Sequence, residues 1–468
     1  MIKQPLKNKI TFKKNELVTL LVVALIFLES FILEINFILP LFLLGVYFYL
    51  RNTKLKYNLL YISCLFVLLF VFSYFVIRNG IPFYYIPFAA FPMLCTILFA
   101  SLELSLLLTL VAAFSISFLS NNNYLGLLFF TSGVMSLVLV RNARTRSVII
   151  RTGFIIGAIQ ALALFFINNF KINFTDTYSM FALNGLVSSI IVIGFLPIFE
   201  YIFNTITNIS LLELADFNHP LLQRMVLEAP GTYHHSLVVG NLSEAACQAV
   251  GANALLARIG AYYHDIGKLQ KPEYFSENIN SKFGKHDNLT PTMSRLVIMN
   301  HVNEGVELAR KHNLNSKLID FIKQHHGTSL VYYFYRRALE SLEEDNEVLE
   351  EGFRYPGPKP NSKEVAIVLL ADSVEAASRA LKDPAPINIR NVVHKIVNNK
   401  FIDGQLDECE LTLKDLEKIT AVFVRILSGI YHSRVTYPEV EKSGNNHNHK
   451  ESAKENSHPP KKNNSSGS

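Results

Sequence analysis

The residues best equipped for chemistry in this chain are histidines and aspartates spread between His235 and Asp372. They are His235, the pair His264-Asp265, His301, the pair His325-His326, and Asp372. Imidazole nitrogens and carboxylate oxygens suit borderline and hard divalent cations, manganese and iron among them. A carboxylate has two oxygens, so it can bridge two ions. Five histidines and two aspartates exceed the needs of one ion. They suffice for two octahedral ions that keep positions open for water and substrate, and two such ions ~3.5–4 Å apart can share a hydroxide and clamp a phosphate. A His-Asp dipeptide alone carries little: His286-Asp287 is another, and it is assigned no metal. Any one of these histidines reads more simply as an ordinary core or surface residue. The set as a whole, around the turn His264-Asp265-Ile266-Gly267-Lys268, reads as a site. Lys268 is assigned to offset charge on a phosphate, against the plainer alternative of a surface ion pair.

These side chains must be held by helices. Apolar spacing predicts helices over 236–250 and 255–263, over Pro291–Lys311 after Thr290, and over 318–326 and 363–381. No alternating run demands a sheet, so the second half is expected to be all-α. Neighbours on a helix point ~100° apart. His264 and Asp265 can therefore address adjacent ions if Asp265 bridges them, and His325 and His326 can reach one ion if their helix end loosens.

The first half is different. The chain is 50% hydrophobic and 18% charged, with a mean hydropathy of +0.26, and soluble domains average ~25% charged. Before about residue 205 the sequence is a series of apolar runs: 17–34, 36–50, 58–77, 82–100, 103–120, 124–140, 148–168 and 179–204. A crossing helix needs ~17–25 residues. Basic residues collect at the N-terminal tail, at Arg51, Lys54 and Lys56, and at Arg141, Arg144 and Arg146. Such clusters mark the cytoplasmic side, which favours eight crossings over seven and an uncleaved anchor at the start. Glu29, Glu34 and Glu103 read as interfacial, and Tyr84, Tyr85 and Phe88 as interface anchors. The net charge of +6 forms no Arg/Lys stripe, so no nucleic-acid polymer is expected as a partner. Cys64, Cys95, Cys247 and Cys409 form no CxxC pair and indicate neither a disulfide framework nor a zinc knuckle.

Three further stretches stand apart. Residues 204–218 read as an amphipathic segment leaving the bilayer, either coupling membrane to enzyme or simply tethering it. Residues 334–360 read as an insertion, acidic around Glu343, Glu344 and Asp345. In it Tyr355 could stack on a base, and Arg354 or Lys359 could meet a phosphate, with a solvated loop as the alternative. Residues 441–468 are polar, without apolar periodicity, and read as a disordered tail.

From about 211 to 435 the sequence resembles the HD-superfamily phosphodiesterases of the membrane-anchored seven-transmembrane HD type. The matching stretches are 211–215 (LLELA), 218–222 (NHPLL), 228–236 (EAPGTYHHS), 261–268 (AYYHDIGK), 324–329 (QHHGTS), 353–360 (FRYPGPKP), 370–376 (LADSVEA) and 403–409 (DGQLDEC). The resemblance implies a polytopic transmembrane helical bundle over 1–205 and an all-helical cytoplasmic HD domain over 206–440. It also implies two divalent ions and hydrolysis of cyclic di-AMP to linear pApA, with a metal-bridging hydroxide as nucleophile. Carried over residue by residue, His235, His264, Asp265 and Asp372 would hold one ion, and Asp265, His301, His325 and His326 the other. His234 is left out, as a residue that supports the ligands from behind or packs. The family places a large extracellular domain after its first helix, whereas here only residues around 29–36 separate the first two runs. Cyclic dinucleotide and membrane lipid are the expected partners, and an oligomer is compatible with the sequence. Two alternatives stand. One is hydrolysis of another nucleotide such as cyclic di-GMP, whose HD branch carries Gly-Tyr-Pro after its histidine pair where this chain has Gly327-Thr328-Ser329. The other is a non-catalytic nucleotide-binding receptor.

Overall fold

The computed structural model describes residues 59–167, 176–279, 285–340 and 349–431. The apolar runs 17–34 and 36–50 lie outside them. So do the N-terminal lysines, Glu29, Glu34, the acidic stretch 343–345 and the tail 441–468. The described residues are helical, with a single isolated bridge between Leu330 and Arg354 and no strand.

The membrane half comprises α1 (Leu59–Arg78), α2 (Ala90–Phe99), α3 (Leu102–Ser120), α4 (Asn123–Val140), α5 (Arg146–Ile167) and α6 (Asp176–Phe203). Five of these, all but α2, are long and apolar enough to cross a membrane. The run 82–100 departs from the expected single crossing. It is a 3-10 turn, Phe83–Tyr85, followed by the short α2. Pro82 and Pro87 lack amide donors, and the helix is interrupted at them. The carbonyls this break frees are served from another helix: the Asn184 side-chain amide donates to Tyr84 O and Ile86 O at 2.7 and 2.9 Å. Such rescue is what a broken backbone needs in lipid. Small residues bring α5 and α6 together. A Cβ on Gly185 would lie 2.3 Å from Gly153 O and 2.4 Å from Gly157 N, so only glycine permits this approach.

The second half comprises α7 (Asn208–Leu214), α8 (Pro220–Glu228), α9 (Pro230–Val250), α10 (Ala254–Tyr263), α11 (Pro291–Lys311), α12 (Ser316–Gln324), α13 (Tyr332–Glu340), α14 (Lys363–Arg379), α15 (Pro386–Ile402) and α16 (Leu413–Ile430). Thr290 caps α11 through Met293 N, and Pro291 occupies the first turn, where its missing N–H costs nothing. The unbroken apolar run Val365–Ala371 of α14 is fully buried between α9, α10, α15 and α16, and it forms the spine of the second half.

The segment between the halves is gripped on both sides. Arg146, at the start of α5, pairs with Glu213 of α7 at 2.9 Å. The Tyr263 hydroxyl, one residue before His264, donates to Leu214 O at 2.7 Å. At the start of α12, the Asn315 side chain donates to Thr205 O, and the Ser316 hydroxyl to Asn204 Oδ1.

Candidate metal centre

Five helices deliver the ligand-type side chains. His235 lies in the second turn of α9, His264 caps the end of α10, His301 sits mid-way along α11, His325 caps the end of α12, and Asp372 lies on α14. Asp265 leaves the helix with φ −108° and ψ 16°, in the sparsely populated bridge region. Directly after it, the 3-10 turn Ile266–Gln270 lies against α11. A Cβ on Gly267 would stand 1.8 Å from His301 O, so glycine is what lets the two ligand-bearing segments meet. After the histidine pair the chain turns at Gly327, with φ +54°, a conformation glycine adopts without steric cost.

The structure brings all seven side chains into one buried cluster. Asp265 lies at its centre. Its Oδ2 is 3.1 Å from His264 Nε2 and 3.7 Å from His235 Nε2. Its Oδ1 is 3.3 Å from His301 Nε2 and 3.5 Å from His325 Nε2. Asp372 also spans the cluster, with Oδ1 at 3.1 Å from His235 Nε2 and Oδ2 at 3.6 Å from His326 Nδ1. Two groups of donor atoms are close enough to share an ion: Asp265, His301, His325 and His326, and His235, His264 and Asp372. His234 is exposed, so it does not pack in the core.

Hydrogen bonds fix which nitrogen of each ring carries the proton. His264 Nδ1 faces Ala261 O at 2.6 Å, His301 Nδ1 faces Ile298 O at 2.5 Å, and His325 Nδ1 faces Ile322 O at 2.9 Å. A carbonyl only accepts, so each Nδ1 donates, and in the neutral ring each Nε2 presents a lone pair. Three lone pairs thus converge on a carboxylate, acceptor against acceptor. His264 Nε2 and Asp265 Oδ1 have no hydrogen-bond partner although buried. Orphaned acceptors this deep are costly, and a divalent cation between them satisfies every one. The donor set therefore fits divalent metal.

Charge supports this arrangement. Burial raises the Asp265 carboxyl, but His264 and Lys268 outweigh it and hold the group well below the usual carboxylate range. Burial would lower His235, but Asp372 and Glu375 lift it to about 10. Burial lowers His301 to about 4, with His325 adding to the effect against Asp265.

Lys268 sits at the edge of this cluster. Its ammonium is shared between Asp265 Oδ2 at 2.8 Å and Glu277 Oε1 at 2.7 Å. Arg354 is held by Asp403 at 2.8 Å and by Glu350 at 2.6 Å. The ring of Tyr355 stacks on His326 with centroids 4.3 Å apart, because 353–355 pairs with 329–331 through Val331 N to Phe353 O and Tyr355 N to Ser329 O. Tyr355 is buried and forms a wall beside the histidine pair.

Sequence reading missed two acids. Glu375 stands 2.5 Å from His235 Nδ1. Its signal was available: three residues after Asp372 on a helix places it on the same face. Glu277, the second partner of Lys268, lies in a 3-10 turn, where no periodicity announces it.

Both halves of the chain are similar to known proteins. Residues 25–207 match the family model described as 7TM receptor with intracellular HD hydrolase, and residues 232–377 match the HD domain model. The cyclic-di-AMP phosphodiesterase PgpH of Bacillus subtilis (strain 168) is 43% identical over 327 residues, covering 69% of this chain and 46% of that protein. The PgpH of Listeria monocytogenes serotype 1/2a (strain 10403S) is 38% identical over 398 residues, covering 83% of this chain and 55% of that protein. The chain thus spans about half the length of these curated relatives. The crystal structure of the L. monocytogenes PgpH HD domain in complex with cyclic-di-AMP is 44% identical, covering 46% of this chain and 100% of that one, with a TM-score of 0.45. With an apolar helical half matched by one model and a buried His/Asp half matched by the other, the chain is a membrane protein of the family that joins a 7TM receptor to an intracellular HD hydrolase.

Proposed function

We propose that this chain is a membrane-anchored, metal-dependent phosphodiesterase that hydrolyses cyclic di-AMP to linear pApA. The observation that carries this reading is the convergence of Nε2 atoms from His264, His301 and His325 on Asp265. It is supported by relatives at 43% and 38% identity named as cyclic-di-AMP phosphodiesterases. The membrane part is taken as 1–205, the hydrolase as 206–440 and the tail as 441–468. The hydrolase is placed on the cytoplasmic side of the cell membrane, in line with the basic cluster Arg141, Arg144 and Arg146 at the α4–α5 turn.

Two divalent ions, manganese or iron by ligand type, would be held by His235, His264, Asp265 and Asp372, and by Asp265, His301, His325 and His326. When bound, such ions polarise phosphoryl oxygens and make coordinated water acidic enough to attack at neutral pH. The protein does the rest. The three Nδ1–H donations to backbone carbonyls lock the imidazoles in the ligating tautomer. Lys268 keeps Asp265 ionised and adds positive charge where phosphoryl charge develops. Tyr355 covers His326 and limits water on that side, with Arg354 beside it as a second contact for the nucleotide. Water adds across one of the ring phosphodiesters, the P–O3′ bond breaks, and the 3′ oxygen takes up a proton.

Tyr355, distant in sequence, packs on the histidine pair, so cyclic di-GMP belongs in the same assay. The purified full chain is expected to convert cyclic di-AMP to pApA with added Mn²⁺, faster than it turns over cyclic di-GMP, and to stop when the metal is chelated. A chain that binds metal and cleaves neither nucleotide would refute the proposal.

A further inference from the structure

The cations around the cluster are nearly all neutralised by acids. Lys268 faces Asp265 and Glu277, Arg354 faces Asp403 and Glu350, Lys359 faces Asp407, and Arg379 lies 3.9 Å from Glu375. Lys400 is different. It lies in the last turn of α15, where a lysine normally extends into water over the helix end, as Lys395 of the same helix does. Lys400 instead turns inward and donates to Ser329 Oγ at 2.6 Å. Among the described residues no carboxylate contacts its ammonium, although it feels the fields of Asp372 and Asp403. Burial also lowers its pKa. Lys400 is half-buried, and a cation partly removed from water with no carboxylate in contact is costly.

Its surroundings begin with Ser329, which is 4% exposed and hangs from the histidine pair through Ser329 N to His326 O. The adjacent loop is pinned to the end of α15. Gln405 Oε1 accepts from Thr328 N at 2.8 Å, and Gln405 Nε2 donates to Thr328 Oγ1 at 2.9 Å. Arg354 closes the network by bonding both Thr328 O and Asp403. Lys400 is therefore tied, through Ser329, to the position of His326. It lies beyond residue 377, where the HD domain match ends, so the HD signature does not assign it.

We propose that Lys400, held by Ser329, is the cation that receives a phosphate of the substrate in this site. The inference rests on the phosphodiesterase reading and adds a residue to it. An ammonium has three donors. One is committed to Ser329, and two remain for phosphate oxygens of a cyclic dinucleotide.

The test uses the full chain in detergent micelles with Mn²⁺. Lys400→Met keeps the length of the side chain and removes the charge. It should raise KM for cyclic di-AMP by about tenfold or more, a loss of one ordinary charged contact, with metal content unchanged. Lys400→Arg should recover at least half of that loss. A KM for Lys400→Met within twofold of wild type overturns the assignment. A measurement on the wild-type chain decides the matter even if the variant fails to fold. Acetylation of Lys400 is followed by mass spectrometry, with exposed Lys395 as reference, in the presence of cyclic di-AMP or of inorganic phosphate. Selective protection of Lys400 by either supports the proposal, and protection by neither overturns it. Turnover by wild type is recorded alongside: its absence defeats the phosphodiesterase reading, while the inorganic phosphate arm still decides Lys400.

Discussion

Glu375 Oε2 lies 2.5 Å from His235 Nδ1, and Asp372 Oδ1 lies 3.1 Å from Nε2 of the same ring. One imidazole is thus held at both nitrogens by two carboxylates from a single face of α14. Glu375 does not need to touch a metal to matter: it orients His235 and raises its basicity. Glu375→Ala should weaken metal retention by about 10–100-fold, the usual range for a lost outer carboxylate. Glu375→Gln, which keeps an acceptor, should lose less. Competition against a chelator reads both, and equal retention by Glu375→Ala and wild type would remove Glu375 from this role.

The same pair of carboxylates sets a proton inventory. In the metal-free protein His235 titrates near 10, so it is an imidazolium at pH 7.5. A metal takes the Nε2 lone pair and must displace that proton. Calorimetric metal titration in buffers of different ionisation enthalpy should show about one proton released with the ion that binds His235, and affinity should rise with pH. No released proton would mean that His235 is neutral before binding.

Stability of the metal-free protein should be greatest near neutrality. His301 is depressed from 6.5 to about 4, so between these values the unfolded chain holds the extra proton and stability falls as pH drops. His235 is raised from 6.5 to about 10, so its contribution is complete below 6.5 and is lost as pH climbs toward 10. Cys247 is fully buried in the catalytic half, and its rate of thiol labelling during mild heating reports unfolding. In EDTA that rate should be lowest near pH 6.5 and rise on both sides. A monotonic profile would contradict the opposed shifts.

Gly267 offers a sharper structural test. Its missing side chain leaves room for His301 O, which a Cβ would meet at 1.8 Å. The obstacle is backbone, which cannot swing away. Gly267→Ala should destabilise the catalytic half by about 3 kcal/mol or more and lower metal content with it, by the same Cys247 labelling and metal analysis. Near-wild-type values for both would show that the turn Ile266–Gln270 can move off α11.

Much of this was legible in the chain itself. The fit of His264-Asp265 to a helix end, and the start of α11 at Thr290-Pro291, follow from local rules that tertiary contacts did not override. The ligand types announce their chemistry, and their convergence follows once each is placed on a helix. Other parts were not readable locally. The break at Pro82 and Pro87 is masked by apolar neighbours, and only Asn184, far along the chain, makes it tolerable. No helix is predicted over α16 from the sequence, although Thr412 and Asp415 form a reciprocal cap at its start. Tyr355 on His326, Glu277 on Lys268 and Lys400 on Ser329 join segments that no spacing relates. Such long-range pairings are properties of the folded core.

The central claim is that Asp265 is shared by two cations, because each of its oxygens faces a different set of imidazoles. The most direct measurement is the metal content of the purified full chain and of Asp265→Ala, by elemental analysis after removal of loosely bound ions. Wild type should carry about two ions per chain, and Asp265→Ala should lose both, with turnover of cyclic di-AMP falling in parallel. An Asp265→Ala protein that is folded by Cys247 protection and still retains two ions would contradict the account.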